Sequence, residues 1–315
     1  MYFTVTALAL LVERFIGYPP ALHRLIGHPV EWIGRFIGWL DRRFNPPERP
    51  ASRLAGVLAL LALLLVTGGI AFAVALMLRA LPFGWIAEAL LATAFLAQKS
   101  LRDHVQAVAD GLAISLDEGR LAVSRIVGRD PQALAPSGVS RAALESLAEN
   151  ASDGIVAPAF WLIIGGLPGI VLYKAINTAD SMIGHKSPRH LSFGWAAARL
   201  DDLVNIPGAR ITGLLFALAA SFIGRASRKA SFEAMYRDAD HHVSPNAGWP
   251  EAALAGALAI RLGGPRSYGG REVDLARMGD GKEKLDRVDI ERGLSLYGRA
   301  LTILTVAVAL VALVS

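Results

Sequence analysis

The segment LAGVLALLALLLVTGGIAFAVALML, residues 54–78, decides the fold class of this chain. It contains no charged side chain over its whole length. An α-helix rises about 1.5 Å per residue, so a helix of this length can cross the ~30 Å hydrocarbon core of a bilayer. We therefore predict that residues 54–78 form a transmembrane helix.

The composition of the whole chain agrees with this prediction. Charged residues make up 19% of its 315 residues, against roughly 25% in soluble domains. The net charge of +5 is explained by Lys and Arg that flank membrane segments and meet anionic lipid. No basic stripe with interleaved aromatic residues is present, so we expect no nucleic-acid partner. The absence of cysteine excludes disulfides, thiolate metal sites and cysteine nucleophiles.

The alternation of apolar and charged stretches divides the chain into four regions of one predicted domain, 1–315. They are an N-terminal anchor and amphipathic segment at 1–53, a transmembrane hairpin at 54–97, a catalytic region with membrane-embedded parts at 98–299, and a C-terminal apolar helix at 300–315. We expect the anchor to be retained, because no small-residue cleavage site follows its apolar stretch. Amphipathic helices are predicted at 98–128 and 139–148, and a Pro- and Arg-rich linker ends at residue 53.

Two apolar segments are interrupted by helix breakers. GGLPG at Gly165–Gly169 divides Ile155–Tyr173, and Pro207 with Gly208 divides Leu203–Gly224. Each segment is either a kinked span or a pair of half-helices that enters the bilayer and returns. Lys and Arg occur on both sides of the first segment, which favours the re-entrant form with both flanks cytoplasmic. The predicted fold class is an all-α polytopic membrane protein with broken or re-entrant helices and cytoplasmic helical segments.

Four polar clusters adjoin these apolar runs. They are ENASDGIVAP at 149–158, KAINTADSMIGHK at 174–186, RLDDLVNIPGAR at 199–210 and DADHHVSPNAGWPEAA at 238–253. Ionisable groups next to membrane segments are costly unless they are paired or functional. A single cluster can be explained by helix capping, but four of similar composition favour a shared polar site.

The residue types in the clusters indicate a class of chemistry. Carboxylates and carboxamides with few imidazoles suit Mg²⁺, and interleaved Lys and Arg suit phosphate oxygens. This combination is typical of phosphoryl transfer, which depends on positioning and charge neutralisation. The chain has no G-x-x-x-x-G-K-[ST], H-E-x-x-H or G-x-S-x-G motif, and the adjacent pair His241–His242 is poorly spaced for zinc.

Long, ordered strings of residues cover most of the chain. They are IVGRD at 126–130, ESLAENASDGIVAPAFW at 145–161, GGLPGIVLYKAINTADSMIGHK at 165–186, FGWAAARLDDLVNIPGAR at 193–210 and DADHHVSPNAGWPEAALAGAL at 238–258. In these strings the chain resembles the adenosylcobinamide-phosphate synthase family, CobD/CbiB, of cobalamin biosynthesis. LIGHPVEWIGR at 25–35 is similar to the family's HPV-x-x-IG element. The chain departs from the family at Tyr18, where the family usually has an acid.

The resemblance implies an integral enzyme of the cell (inner) membrane with a cytoplasmic active site. Such an enzyme joins the carboxylate of adenosylcobyric acid to the amine of (R)-1-amino-2-propanol O-2-phosphate, or of a related aminoalkyl phosphate. ATP and Mg²⁺ are the expected cofactors, and the corrinoid is a substrate. An acyl phosphate is the expected activated form, because a carboxylate does not form an amide efficiently without a leaving group.

On this resemblance, roles are predicted for individual residues. The expected metal ligands are Glu149, Asp153, Asp201 and Asp202. The expected substrate and phosphate contacts are Lys174, Asn177, Lys186, Arg199, Arg210, Asp238, Ser244, Asn246 and Asn150. The expected catalytic residues are His241, Glu251 and Asp180, with His241 or Glu251 accepting the proton of the attacking amine. Residues 238–251 are expected to form a loop over bound phosphate.

Two other functions fit the same features. Broken helices with polar residues are also typical of transporters, which would take up a substrate without ligating it. A non-catalytic scaffold would keep ligation intact when the clusters are mutated. The bilayer is an expected partner in each case, as are a second copy of the chain or other membrane enzymes of the cobalamin pathway.

Overall fold

A computed structural model describes residues 1–46, 52–128, 131–268 and 271–314. Residues 47–51 of the predicted linker, the last two residues of IVGRD and the pair Gly269–Gly270 lie outside this description. The chain forms two compact units. Unit 1 comprises Met1–Ala97, Ala157–Asn205 and Val308–Ser315, and unit 2 comprises Gln98–Val156 and Ile206–Ala307.

Unit 1 is helical wherever it has regular structure within the described ranges. Its helices are α1 (Tyr2–Ile16), α2 (Pro20–Ile26), α3 (Pro29–Phe44), α4 (Arg53–Arg79), α5 (Gly84–Thr93), α9 (Ala157–Ile183) and α10 (Trp195–Val204). The direction of the chain changes by 101° between α1 and the segment formed by α2 and α3. Helix α9 packs on α1, α3, α4 and α10.

Unit 2 combines helices with one small sheet. Its elements are α6 (Gln98–Ile114), α7 (Leu116–Val123), α8 (Pro136–Ala151), a π-helical turn (Ser152–Val156), α11 (Ile206–Ala220), α12 (Arg228–Asp238), a 3₁₀ turn (Ala239–His241), α13 (Gly248–Leu258), β1 (Leu262–Tyr268), β2 (Arg271–Met278) and most of α14 (Arg287–Val314). The strands pair antiparallel, with an irregularity between Gly263 and Gly264. The all-α prediction is thus confirmed for the bulk of the chain and corrected at this hairpin, whose Gly- and Arg-rich strands lack the alternating apolar pattern of a typical strand.

Helix α4 confirms the helix predicted at 54–78. It buries a single stripe of mostly small residues at steps of three or four: Gly56, Ala59, Leu63, Thr67, Ala71, Ala75 and Leu78. Leu65, Phe72 and Met77 point away from this stripe and are exposed by 75%, 56% and 64%. An apolar helix that buries one narrow face and leaves its other apolar faces uncovered has the surface of a lipid-contacting helix.

Three helical stretches in the described chain are long and apolar enough to cross a membrane. They are Arg53–Arg79, Pro136–Ile183 and Arg287–Val314, and two bent helix pairs raise the number to five if each pair is one span. Helix α5, with 10 residues, is not among them. It extends only about 15 Å, so the predicted hairpin at 54–97 has one arm of spanning length. The predicted C-terminal apolar helix at 300–315 is the second half of a longer helix, α14, which begins at Arg287.

Helix α9 is broken at Gly166, as the GGLPG motif predicts. Gly166 has φ +60°, a backbone conformation that favours glycine, and Pro168 lies in the first turn of the second half. A Cβ on Gly169 would lie 2.3 Å from the carbonyl oxygen of Trp161. Residues eight apart in a straight helix are separated by about 12 Å along its axis. The chain therefore turns back on itself at Gly166.

Two other predicted segments are divided at single residues. The amphipathic segment 98–128 breaks at Ser115, whose hydroxyl accepts a hydrogen bond from the Glu118 N–H at 3.1 Å and caps α7. The segment 203–224 breaks at Asn205, and Pro207 lies in the first turn of α11, where proline is tolerated. The second break is therefore two residues earlier than the proline that predicts it.

The core of unit 2 is formed by α8 and α13. Residues Val139–Ala148 of α8 are buried except for Arg141, and every residue of α13 is buried except for Trp249, which is half-buried. The buried carboxylate of Glu145 accepts a hydrogen bond from the Gly263 N–H at 2.9 Å. This hydrogen bond joins α8 to the irregular part of the hairpin.

Candidate functional site

Unit 1 brings the second and third polar clusters together on α9 and α10. The Lys174 ammonium donates to Asn177 Oδ1 at 3.3 Å, and Asn177 Nδ2 donates to Asp201 Oδ1 at 3.4 Å. Asn205 Nδ2 donates to the other oxygen of Asp201 at 2.9 Å, and Asn205 Oδ1 accepts from the Tyr173 hydroxyl at 2.7 Å. We call these five residues the Asp201 network. Its spacing follows from helix geometry, because residues three or four apart share a face.

Negative charge is concentrated around Asp201. Its side chain is 9% exposed, and Asp180 and Asp202 both interact with it electrostatically. Asp202 also approaches Arg199 at 3.5 Å on the exposed side of α10. Three carboxylates in one neighbourhood repel one another, so a cation bound among them would be strongly favoured.

Two predicted phosphate contacts lie at the margin of this network. Lys186 is exposed in the turn that follows α9. The side chain of Arg199 is 68% exposed. Long exposed side chains of this kind can reach a bound phosphate, but the structure places neither in the buried network.

Unit 2 contains a second polar group, formed by α11 and the fourth cluster. The Arg210 guanidinium donates to Asn246 Oδ1 at 2.6 Å and lies 4.7 Å from the centre of the Trp249 ring. Asp240 interacts with Arg210 electrostatically. Ser244 Oγ accepts from the backbone N–H groups of Asn246 and Ala247, which shapes the loop before α13. The predicted loop residues Ser244 and Asn246 thus adjoin a predicted phosphate contact, Arg210.

Asp238 is engaged by its own unit. Its two carboxylate oxygens accept from the Arg237 guanidinium at 2.6 and 2.7 Å, and one of them also accepts from the Gly279 N–H at 2.8 Å. Burial would raise the pKa of Asp238, but the hydrogen bonds from Arg237 and Gly279 lower this pKa below its ordinary value. Asp238 therefore joins α12 to the end of the hairpin, and its predicted contact with substrate stays a prediction.

The histidine next to Glu251 is His242 and not His241. His242 Nε2 lies 3.7 Å from Glu251 Oε1, and Glu251 is buried at the start of α13. His242 Nδ1 accepts from the Ser244 N–H at 3.0 Å, so the remaining nitrogen can carry the proton toward Glu251. His241 is exposed on the 3₁₀ turn. The sequence alone did not separate the two, because a loop assigns no helical face to either.

The first cluster lies at the junction of α8 and the π-helical turn. Glu149 and Asn150 are exposed at the end of α8, and Asn150 Nδ2 donates to the Ser146 carbonyl at 2.9 Å. Asp153 is half-buried in the π-helical turn, which packs on α11, the helix that carries Arg210. Within unit 2 the first and fourth clusters therefore lie on elements that contact α11. That all four clusters form one site stays a prediction.

No group of three or more His, Asp or Glu side chains within the described ranges is arranged to hold a metal ion. Magnesium does not need such a group, because it is usually bound by one or two carboxylates together with waters and substrate phosphates. The oxygen donors of the Asp201 network suit such a shared site. The predicted pairing of Glu149 and Asp153 with magnesium stays a prediction.

Three residues of these groups were absent from the predicted site. Tyr173 and Asn205 complete the Asp201 network, and His242 lies beside Glu251. Asn205 had a detectable signal, because it follows Asp201 by four residues on a polar helical face. Tyr173 lies at the end of an apolar run and carried no comparable signal.

The fold and these groups define a mostly helical protein with membrane-length apolar helices and acid-, amide- and cation-rich polar sites. The profile of the family described as CobD/Cbib protein matches residues 6–297. The chain is 52% identical over 308 residues to the cobalamin biosynthesis protein CobD of Rhodobacter capsulatus, covering 96% of this chain and 95% of that protein. The proteins of the same name from Sinorhizobium sp and Brucella suis biovar 1 are 47% and 50% identical, covering 98% and 96% of this chain and 98% and 94% of theirs.

No solved structure matches the chain. The length and identity of the sequence matches are nevertheless sufficient to assign it. The chain belongs to the CobD/CbiB family, whose curated relatives are named as cobalamin biosynthesis proteins.

Proposed function

We propose that the protein is an ATP- and Mg²⁺-dependent amide ligase, an adenosylcobinamide-phosphate synthase. It joins the carboxylate of adenosylcobyric acid to the amine of (R)-1-amino-2-propanol O-2-phosphate or a related aminoalkyl phosphate. The relatives' name supports a place in cobalamin biosynthesis. The three to five helices of sufficient length and apolarity support a location in the cell membrane.

The observation that carries the proposal is the Asp201 network. A nearly buried carboxylate is held by two carboxamides, with a lysine at one end and two further carboxylates in electrostatic contact. A site that binds a nucleotide with its divalent cation needs such a mixture, because both the cation and the phosphate oxygens must be neutralised.

The proposed reaction has two steps. A carboxylate oxygen of the corrinoid attacks the γ-phosphorus of ATP, which forms an acyl phosphate and releases ADP. The neutral amine then attacks the acyl carbon, which forms the amide and releases phosphate with the former carboxylate oxygen. One proton leaves the nitrogen, and His242 or Glu251 is the proposed acceptor, because an imidazole and a carboxylate are the side chains that most often act as general bases.

The network residues have separate tasks in this scheme. Lys174 and Asn177 hold phosphate oxygens, and Asp201 with Asp180 or Asp202 holds Mg²⁺. When bound, Mg²⁺ supplies charge neutralisation on the transferred phosphoryl group. Asn205 and Tyr173 keep the carboxylate of Asp201 in place through the hydrogen bonds described above.

The proposal is tested by assaying ADP release from the purified protein. The full mixture contains ATP, Mg²⁺, adenosylcobyric acid and the aminoalkyl phosphate, and each control omits one of them. We expect ADP in proportion to amide product, and none with EDTA. A transporter would move substrate across a vesicle membrane without product, and a scaffold would give neither activity, so either result would refute the ligase.

A further inference from the structure

Unit 1 contains an apolar cavity of about 720 Å³ that is open on one side. It lies between the bend formed by α1, α2 and α3, the middle of α4, the end of α5 and the second half of α9. This volume is within the range of about 300–1,000 Å³ that is typical of ligand pockets. None of the five residues of the Asp201 network lines it, so the cavity is separate from the site described above.

The lining offers no hydrogen-bond donor to a ligand from its side chains. Four lining residues have polar side chains, and each donates a hydrogen bond to a backbone carbonyl. These bonds are Tyr18 to Gly27 at 2.8 Å, Trp32 to Ile26 at 3.0 Å, Thr67 to Leu63 at 2.7 Å and Thr93 to Leu90 at 2.6 Å. The rest of the lining is apolar apart from the backbone of Gly17.

This lining selects the chemistry of the occupant. A nucleotide, an aminoalkyl phosphate or the amide-bearing rim of a corrinoid would bury polar groups without partners, which costs several kcal/mol for each group. A hydrocarbon chain has no such groups and loses only its contact with water or with other chains. The cavity therefore fits a hydrocarbon chain.

The edge of the cavity carries positive charge. Helix α2 buries none of its residues; Leu22 and Ile26 line the cavity, and the exposed Arg24 lies two residues from each of them along the helix. Arg35 is also exposed. A Cβ on Gly27 would lie 4.0 Å from its guanidinium, 3.3 Å from the indole nitrogen of Trp32 and 3.4 Å from Glu31 Oε2, so these three groups share one neighbourhood. Neither arginine forms an ion pair with any residue that the structure describes.

One acidic group is present at this edge, and it is already engaged. Glu31 accepts a hydrogen bond from His23 Nε2 at 2.7 Å. Two arginines and one glutamate leave a single net positive charge beside the opening. Short amphipathic helices with exposed Leu, Trp and Arg are typical of the boundary between acyl chains and headgroups.

We propose that the cavity binds an acyl chain of an anionic phospholipid, whose phosphate lies at Arg24 and Arg35. The proposal rests on the membrane location proposed above and not on the ligase activity. The lipid fills the space inside the α1–α3 bend and holds this bend against α4. The site is thus a specific lipid site on the periphery of unit 1.

The experiment uses phosphatidylglycerol with brominated acyl chains, which quench the fluorescence of a tryptophan that they contact. Purified full-length protein in detergent is titrated with this lipid, and the contribution of Trp32 is obtained by comparison with Trp32→Phe. We expect saturable quenching of Trp32. Phosphatidylcholine with the same chains should need about five- to thirtyfold more lipid for the same quenching, since each arginine near a headgroup contributes about fivefold.

Two kinds of variant distinguish the contribution of the lipid headgroup to binding from that of its acyl chain. Arg24→Gln with Arg35→Gln should abolish the preference for phosphatidylglycerol, whereas Arg42→Gln, about two turns from Arg35 on α3, should keep it. Ala71→Leu and Ala94→Leu fill the cavity from buried lining positions and should weaken both lipids. If Ala71→Leu or Ala94→Leu does not fold, the variant with both exposed arginines replaced still tests the proposal.

Each contrary result overturns the proposal. If Trp32 and Trp32→Phe proteins are quenched alike, no chain enters the cavity. If the two lipids bind equally in the wild type, or if the arginine variant keeps its preference, the headgroup site is absent. ADP release is not measured here, so a failure of the proposed ligase leaves the outcome unaffected.

Discussion

Asp201 is the residue on which the candidate site of unit 1 depends. Its two oxygens accept from two carboxamides, and it is nearly buried in a group of three carboxylates. Replacement by asparagine keeps the size of the side chain and removes its charge. We expect Asp201→Asn to lower kcat/KM by about ten- to a hundredfold, or ~1.4–2.8 kcal/mol of transition-state stabilisation.

The matched control for this variant is Asp117→Asn, which removes the same charge from an aspartate whose side chain is 86% exposed. Its kcat/KM should equal that of the wild type. Both variants are first checked for an unchanged Tm in detergent. A folded Asp201→Asn protein with wild-type kcat/KM would exclude Asp201 from the reaction.

Asp238 is expected to affect stability more than catalysis. Its pKa is lowered on folding, so its ionised form stabilises the folded state at every pH above the ordinary pKa of aspartate, about 3.9. That contribution is lost as the pH falls through the lowered pKa. Asp238→Asn should therefore have a lower Tm than the wild type at neutral pH, by the equivalent of about 1–3 kcal/mol, and the difference should shrink below about pH 4.

The measurement is the thermal unfolding of both proteins in detergent between about pH 3 and pH 7, around the ordinary pKa of aspartate. Asp117→Asn again serves as the exposed control and should follow the wild type closely. A difference in Tm that stays constant down to the lowest pH would show that the ionised carboxylate is not the stabilising form.

At the residue scale the sequence predicted which polar clusters contain interacting side chains, and the roles of their residues stay predictions. Lys174, Asn177 and Asp201 were proposed from the chemistry of their clusters and from the family resemblance, and the structure joins them by hydrogen bonds. The proximity of His242 to Glu251 was not predicted, since the conformation of the loop decides which imidazole lies near that carboxylate. The contact of Asp238 with Gly279 could not be predicted either, because the two residues are 41 apart in sequence.

Among the elements, the break in α9 is the most specific feature. The carboxylate of Glu88, fully buried, accepts a hydrogen bond from the Leu167 N–H at 3.0 Å and so caps the second half-helix. A Cβ on Gly166 would lie 2.6 Å from Tyr2 Cε1 and 2.9 Å from Glu88 Oε1, and the residue has a positive φ. We expect Gly166→Ala to lower the Tm by the equivalent of about 1–3 kcal/mol.

The neighbouring glycine provides the control for this prediction. A Cβ on Gly165 would meet no atom within 4 Å, and no positive φ is found there. Gly165→Ala should therefore keep the wild-type Tm. Equal stability of the two variants would contradict the assignment of the break to Gly166.

The helix boundaries that were predicted correctly are those that depend only on the local sequence. GGLPG marks the break in α9, and the charge-free run marks α4, because both depend on backbone and hydropathy alone. The hairpin at 262–278 was missed, since its strands carry Gly, Pro and Arg and are fixed by contacts with α8 and α13. The short length of α5 was missed for a similar reason, because the apolar sequence continues past the end of the helix.

For the molecule as a whole, the chain reversal at Gly166 predicts a membrane topology. The segment that contains α9 should enter the bilayer and return to the same side. The chain has no cysteine, so single cysteines at Gln132 and Ser187 can be labelled in intact cells with a membrane-impermeant maleimide. We expect the same accessibility at both positions, and labelling from opposite sides would establish a full span.

At this scale the sequence predicted a helical, apolar chain, and the structure confirms a mostly helical chain with three to five helices of spanning length. The family was recognisable from long ordered strings, and the match over residues 6–297 confirms it. The proposed reaction differs from the alternatives in where the oxygen of the substrate carboxylate goes, and this is measured in the reaction itself.

The transfer of oxygen from the corrinoid carboxylate tests the central claim most directly. Adenosylcobyric acid with ¹⁸O in its free carboxylate is incubated with the purified protein, ATP, Mg²⁺ and the aminoalkyl phosphate, and the inorganic phosphate is analysed by mass spectrometry. Activation as an acyl phosphate predicts one ¹⁸O atom in the phosphate for each amide formed. Amide formation with unlabelled phosphate, or with ¹⁸O in AMP, would contradict the proposed mechanism.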